Sequence, residues 1–266
     1  MFKDLFSLAG RTALVTGGSR GIGKMIAAGF LGFGAARVYI TARKAGPCEE
    51  TAKELTAEYG GECIALPIDI STMAGIDMLA AEIGKHEKKL DILVNNAGAA
   101  WGAEFDEFPE SGWDKVMDLN VKSLFFLTKA LAKPLRAAAS HARPAKVINI
   151  ASIDGIFVNP GETYSYGASK AAVIHLTRRM ATKLIKDNIN VTAIAPGAFA
   201  SDMNRAARDE ADALAKRIPS RRIGTDEDMA GVAIYLASRA GDYVVGNTIA
   251  VDGGVVYANA GLEISG

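Results

Sequence analysis

Hydrophobic positions along the chain fall into two kinds of run that alternate. Short continuous apolar runs at 12–15, 37–40, 63–68, 91–94, 146–150, 190–194 and 248–251 predict strands buried on both faces. Between them lie longer runs with helical character, at 21–33, 48–59, 76–86 and 113–139, another around Tyr166, and one beginning at Thr225. In the Tyr166 run, Ala172, Val173, Leu176, Met180 and Leu184 supply an apolar stripe, and Arg178, Arg179, Lys183 and Lys186 supply the charges. Ser111 with Asp114 and Thr225 with Asp228 have capping-box spacing. Pro67 predicts an irregular end to the third strand, and Pro134 a bend or end in the 113–139 helix. Strand–helix alternation with unbroken apolar strands predicts an α/β fold: a doubly wound parallel sheet of about seven strands with helices on both faces. No repeat or linker interrupts it, so residues 1–266 read as a single domain, with the polar 198–220 segment as a candidate lid.

Composition narrows the function classes. A hydrophobic share of 49% against 23% charged is that of an ordinary globular protein. Thirty basic residues balance thirty acidic ones, which removes the bulk electrostatic case for nucleic acid or an anionic membrane. The longest apolar stretch, 25–36, is interrupted by glycine and too short to cross a bilayer. Cys48 and Cys63 have neither metal-ligand spacing nor a disulfide framework around them, and His86, His141 and His175 are isolated, so no metal site is expected. No secretory signal is read at the amino end, and a cytoplasmic location is expected.

Candidate chemistry lies at the strand ends. The first strand runs through Thr16 into Gly17, Gly18, Ser19, Arg20, Gly21, Ile22 and Gly23 and then a helix. Glycines placed there let the backbone turn tightly and approach a pyrophosphate at the helix N-terminus. A carboxylate closing the second strand would hold the ribose 2′-hydroxyl of NAD, but the chain has Thr41-Ala42-Arg43. Arg43 and Arg20 suit a 2′-phosphate, so NADP(H) is the expected cofactor. Asp69 and Ile70 follow the third strand, Asn95-Asn96-Ala97-Gly98 the fourth, Ser152 the fifth and Pro196-Gly197 the sixth. Carboxyl ends of parallel strands share one edge, where ligands of such sheets bind.

Tyr166 and Lys170 are four residues apart, on one face of a helix. Bringing a phenol from a pKa of about 10 to about 7 requires roughly 4 kcal/mol in favour of the phenolate. One ammonium at about 4 Å supplies at most about 4 kcal/mol at an effective dielectric near 20, so a second positive charge is expected nearby. Tyr164, six residues from Lys170, faces elsewhere.

The Thr16–Gly23 loop, Asn95-Asn96-Ala97-Gly98, Asn120, Ser152, Tyr166-xxx-Lys170 and Pro196-Gly197, in this order, make the chain similar to the short-chain dehydrogenase/reductase family over nearly its whole length. The resemblance implies a Rossmann fold, hydride transfer between a nicotinamide and a ketone or secondary alcohol, and a catalytic tetrad of Asn120, Ser152, Tyr166 and Lys170. Tyr166 would move the proton, Ser152 would hold the reacting oxygen, and Lys170 would lower the tyrosine pKa. Asn120 would anchor a water, although from the residues alone it reads as a locally satisfied polar side chain. The resemblance also assigns Asp69 to the adenine, Asn95 and Gly98 to the adenosine and ribose region, and Ser201 to the nicotinamide carboxamide. Asn96, Ala97, Pro196 and Gly197 complete the expected cofactor set, and Thr16 would pin the glycine loop. Family members are dimers or tetramers, and the chain is expected to be a homotetramer or homodimer.

Trp101, Ile153, Asp154, Phe157, Phe199 and Met203 are the candidate substrate contacts. The segments 6–11, 100–102 and 111–113 resemble bacterial 3-oxoacyl reductases of the rhamnolipid type, which implies a 3-oxoacyl thioester substrate. Another sugar, steroid or cyclic ketone is the alternative, and a non-catalytic NADP-binding protein a more distant one. Carrier-protein relatives place an arginine shortly before the sixth strand. Here that place holds Asp187, with Arg136 and Arg143 as the remaining cations, so carrier-protein docking is doubtful.

Overall fold

Alternate residues of each strand feed opposite faces of one sheet. In the computed structural model, which describes residues 2–258, the strands are β1 (Thr12–Thr16), β2 (Arg37–Thr41), β3 (Glu62–Leu66), β4 (Ile92–Asn95), β5 (Ala145–Ile150), β6 (Ile189–Pro196) and β7 (Thr248–Val251). Ala13, Val15, Val38, Ile40, Ile92, Val94, Ile148 and Ile150 enter one apolar layer. Leu14, Tyr39, Leu93 and Val147 enter the other. That two-sided burial is why the strands read as continuous apolar runs.

The sheet is parallel throughout, in the order β3-β2-β1-β4-β5-β6-β7. One face is covered by α1 (Gly21–Gly32), α2 (Ala45–Tyr59) and α10 (Asp226–Ala237). The other is covered by α3 (Met73–His86), α5 (Ser123–Ala130), α6 (Ala132–Ala138) and α7 (Tyr164–Leu184). The chain reverses its direction of travel across the sheet between β1 and β4, which opens a crevice at their carboxyl ends.

The starts of α2 and of the 113–139 helix differ from expectation. α2 begins at Ala45, before Cys48, because Pro47 sits in its first turn, where no N–H is required. The expected helix over 113–139 starts at Glu110 as α4 (Glu110–Met117), capped by Pro109, so Ser111 and Asp114 are not a capping box. It continues through a wide π turn over Asp118–Lys122 into α5, and then breaks at Leu131 (φ −89, ψ 4). Pro134 is the third residue of the next segment, α6, and the break lies in the turn before it, where a proline removes the bond to residue i−4, so the interruption expected of Pro134 is present. The Thr225–Asp228 capping box is present: the Thr225 N–H donates to Asp228 Oδ2 at 2.9 Å. Between β6 and α10 lie α8 (Arg205–Asp209) and α9 (Ala211–Ala215).

A buried polar chain ties the central strands to the helices beneath them. Asn95 Nδ2 donates to Thr128 Oγ1 at 3.0 Å and to Asn149 Oδ1 at 2.9 Å, and Asn149 Nδ2 donates to Thr177 Oγ1 at 2.9 Å. Asn149→Ala removes one buried hydrogen bond from Asn95 and one from Thr177. It should lower unfolding stability by about 2 kcal/mol, read as a reduced urea midpoint at unchanged slope. A change under about 0.5 kcal/mol would show that this chain is dispensable.

Candidate active site

The glycine loop is held in place from the neighbouring strand. Thr16 Oγ1 donates to Val94 O at 3.3 Å and accepts from the N–H groups of Asn96 and Ala97 at 2.9 and 3.0 Å. Asn96 Nδ2 returns to Thr16 O at 2.8 Å and Gly17 O at 3.1 Å. Gly17 adopts φ +65, a left-handed turn that a side chain disfavours. A Cβ on Gly23 would overlap the Gly17 carbonyl and the Asn96 amide. α1 therefore starts tight against the loop. Its N-cap, Arg20, supplies no side-chain hydrogen bond, and its first turn holds no acid. The amide groups of that turn are left for an anion.

From this loop a cleft of ≈ 810 Å³ follows the carboxyl edge of the sheet. One end is lined by Thr41, Ala42, Arg43 and Lys44, the other by Ser152, Tyr166 and Lys170. Of the expected cofactor residues, Gly17, Ser19, Arg20, Gly21, Ile22, Arg43, Asp69, Ile70, Asn96, Ala97, Gly98, Pro196, Gly197 and Ser201 all line it. Gly23 lies behind the wall, shaping it. Arg43 makes no hydrogen bond or ion pair among the described residues, so its guanidinium is available to a phosphate. Arg20 is engaged by Asp202, which also receives Arg208 at 2.7 Å. Donors at the helix start, the unpaired Arg43 and glycines at the points of closest approach form a set that fits an adenine dinucleotide with an additional phosphate, whereas Arg20, expected to share that phosphate, is held by Asp202.

At the far end, Lys170 is buried, and its Nζ donates to Ile150 O at 2.8 Å. Nζ lies 5.5 Å from the centroid of the Tyr166 ring. Loss of solvent pushes Lys170 down to about 8, although Asp154 opposes this. The same desolvation pushes Tyr166 up to about 12, against the pull of its hydrogen bond with Ser152 and with Asp154 reinforcing it. Burial therefore sets the direction of the tyrosine shift here, and the lysine expected to oppose it is itself desolvated. Ser152 is buried, and its Oγ accepts from Asp154 N at 3.2 Å.

Asn120 sits in the π turn, buried, and joins the loop after β4 to α7. Its Oδ1 accepts from Ala99 N at 2.8 Å, and its Nδ2 donates to Ala99 O and Ser169 Oγ, each at 2.9 Å. Gly98 packs against both it and the lysine, since a Cβ there would lie 3.2 Å from Asn120 Oδ1 and 3.7 Å from Lys170 Nζ.

Ile153, Asp154, Phe199 and Met203 line the cleft, but Trp101 and Phe157 do not. Trp101 packs on Gly112, where a Cβ would come within 2.7 Å of the ring, and Lys115 Nζ lies 5.1 Å from its centroid. The Asn95 expectation is corrected as well. Its side chain points to the layer containing Leu93 and is consumed by the polar chain above, so Asn96 alone of the pair reaches the cleft. The strand alternation carried that signal. Tyr164 packs edge-on against Phe105 and Phe108, at 5.5 and 5.7 Å. Lys44, Asn159 and Leu214 also line the cleft and were missed. Lys44 was legible as the cation beside Arg43, whereas Asn159 and Leu214 carry no motif.

The family model described as Enoyl-(Acyl carrier protein) reductase matches residues 17–256. The chain belongs to the short-chain dehydrogenase/reductase family. Among members of this family it is 51% identical, over 94% of its own length and 97% of the relative's, to the rhamnolipids biosynthesis 3-oxoacyl-[acyl-carrier-protein] reductase of Pseudomonas aeruginosa. It is 40% identical, over 96% and 98% of the two chains, to the 2-dehydro-3-deoxy-D-gluconate 5-dehydrogenase of Dickeya dadantii. Among short-chain dehydrogenase/reductase structures, the Pseudomonas aeruginosa RhlG/NADP active-site complex superposes with a TM-score of 0.90 at 50% identity, covering 94% of this chain and 98% of that one. The gluconate 5-dehydrogenase from Burkholderia cenocepacia, in complex with NADP and tartrate, superposes with a TM-score of 0.86 at 34% identity, covering 95% and 97%.

The tyrosine shift has a direct readout. With its pKa raised in the folded protein, the protonated phenol is favoured below the unfolded value of about 10, and that advantage is lost as pH rises toward about 12. In the cofactor-free enzyme, the phenolate absorbance that Tyr166→Phe removes should be absent at pH 10 and emerge only as pH approaches about 12. Its appearance near pH 8 would mean that Lys170 outweighs burial.

Proposed function

We propose that this short-chain dehydrogenase/reductase is an NADP(H)-dependent oxidoreductase whose substrate is a 3-oxoacyl thioester. The observation that carries the reaction class is the meeting of Ser152, Tyr166 and buried Lys170 at one end of a cleft whose other end holds Arg43. NADPH, when bound, supplies the hydride. The chain's own residues do the rest. Ser152 and the Tyr166 hydroxyl converge on the carbonyl oxygen and orient it. Tyr166, held protonated by its surroundings, delivers its proton to the oxygen as negative charge develops there. Lys170 supports the phenolate left behind, and Asn120 fixes the loop that walls the lysine off. The glycine loop and the α1 N-terminus hold the pyrophosphate, and Arg43 the 2′-phosphate. The residues 198–220 form the lid.

Substrate class rests on the 51% relative and on the apolar lining that Ile153, Phe199, Met203 and Leu214 give the catalytic end. Carrier-protein docking has less support. Arg136 is neutralised by Asp187 at 2.7 Å, and Arg143 faces Asp91 at 3.8 Å, so neither offers a free cation to an acidic carrier. No helix among the described residues is long and apolar enough to cross a membrane. The two free, buried cysteines fit a cytoplasmic enzyme, and a homo-oligomer is the form expected of it.

Tyr166→Phe should lower kcat for NADPH-dependent reduction by about 10³-fold or more while leaving NADPH binding within about threefold. An unchanged rate would overturn the assignment. Arg43→Asp should reduce kcat/KM for NADPH by about 10²-fold relative to NADH, and a preserved preference would place the 2′-phosphate elsewhere.

A further inference from the structure

The reaction described above leaves one ionisable group of the catalytic end unused. Asp154 lines the cleft on the short turn over Ile153–Gly155 that follows Ser152. The turn is seated on the first turns of α7: a Cβ on Gly155 would lie 2.5 Å from the Lys170 carbonyl carbon, and one on Gly167 would lie 3.5 Å from Asp154 O. The Asp154 backbone N–H donates to Ser152 Oγ at 3.2 Å, which ties the turn that carries the carboxylate to the serine. Asn159, which also lines the cleft, donates Nδ2 to Asp154 Oδ2 at 2.8 Å, which fixes that oxygen as an acceptor and orients the carboxylate. No ion pair neutralises Asp154 among the described residues. Its field reaches both Tyr166 and Lys170. The side chain is half-buried, and desolvation pushes its own pKa up while Asn159 and Lys170 pull it back.

A fixed acceptor beside the reacting carbonyl acts on substrates in two ways. It gains a hydrogen bond from a neutral N–H or O–H donor, and it repels an anion brought to the same place. The second effect is strengthened because Asp154 is half-buried. We propose that Asp154, oriented by Asn159, is a specificity-determining residue that accepts a hydrogen bond from an uncharged donor on the substrate and excludes substrates bearing a carboxylate near the reacting carbonyl. The assignment rests on the carbonyl-reductase reading but not on the acyl chain. On the thioester reading the donor is an amide N–H of the pantetheine-like arm. On this assignment a sugar acid, the kind of substrate for which some relatives are named, is disfavoured when its carboxylate lies near the reacting carbonyl.

The test is steady-state NADPH oxidation by the full chain on three matched ketones: the acetoacetyl thioester of N-acetylcysteamine, ethyl acetoacetate and acetoacetate. They are, respectively, neutral with an amide donor, neutral without one, and anionic. The native enzyme should favour both neutral compounds over acetoacetate by about 10²-fold in kcat/KM. Asp154→Asn keeps an acceptor for Asn159 and removes the charge. It should raise kcat/KM for acetoacetate by about tenfold or more, leave the ester within about threefold, and raise KM for the thioester. Asp154→Ala should do the same for acetoacetate. A parallel fall in kcat on all three compounds would reduce Asp154 to a support for Ser152, and an unimproved rate on acetoacetate would overturn the charge argument. If the native enzyme reduces none of the three, the 3-oxoacyl reading fails by itself. The same comparison is then made with a hexulose and the hexulosonate of equal length. A neutral preference there that Asp154→Asn relaxes upholds the assignment, and equal or faster reduction of the anion overturns it. Failure of both substrate sets would overturn the reductase reading and the assignment together.

Discussion

An ammonium group held away from water is the constraint around which the catalytic end is built. Among the described residues, the Lys170 ammonium has one hydrogen-bond acceptor, the carbonyl of Ile150 at the end of β5. A buried charge with so little compensation is costly, and it persists only where the surroundings fix it. Those surroundings are sequence-specific. Gly155 has no side chain, so the turn after Ser152 lies directly on the backbone of Lys170. Gly98 has none either, so the loop after β4 reaches the lysine from the other side. Asn120 then clamps that loop through both polar atoms of Ala99. Each contact that seals the lysine also places a wall of the cleft, so stability and site geometry are set by the same residues.

At the other end the constraint is closeness of backbone rather than charge. Thr16 acts as a hub, with its hydroxyl bound to Val94, Asn96 and Ala97. It ties the carboxyl ends of β1 and β4 together at the place where the chain changes direction across the sheet. Gly23 allows α1 to start against that hub. The result is a row of amide groups at a helix start with no side chain of their own to cap them. The affinity for a pyrophosphate expected of this loop follows from what the sequence omits there as much as from what it supplies.

Strand positions were legible because burial on both faces removes polar residues from the run, a signal independent of tertiary detail. The strand-end residues were legible for a related reason: in a parallel sheet they must share an edge, so Arg43, Asp69, Asn96, Ser152 and Gly197 could be collected before any coordinates. Helix interruptions were harder. The π turn at Asn120 has no residue of breaking propensity behind it, whereas the break at Leu131 falls in the turn that Pro134 disrupts by lacking the N–H that would reach Ala130. Trp101 was misplaced because an aromatic residue in a loop reads the same whether it faces a substrate or a glycine on the next helix. Asp154 was found, but its partner Asn159 was not, since a contact across a five-residue turn leaves no period in the sequence.

The direction of the tyrosine shift follows from the same burial. A lysine stabilises a nearby phenolate only to the extent that it is charged itself, and Lys170 is pushed toward neutrality by the desolvation that affects Tyr166. Asp154 adds a negative field that favours the ammonium and disfavours the phenolate. Three groups within one turn and one helix face therefore settle on a neutral phenol above a lysine. A neutral phenol is a proton donor, which is the state that reduction of a carbonyl requires at its start. On the proposed reaction, oxidation requires the phenolate instead, and further positive charge beside Tyr166 would favour that state. The cation that the Tyr166–Lys170 spacing called for is thus a condition on direction: without it the site is poised to give a proton, and with it the site can take one.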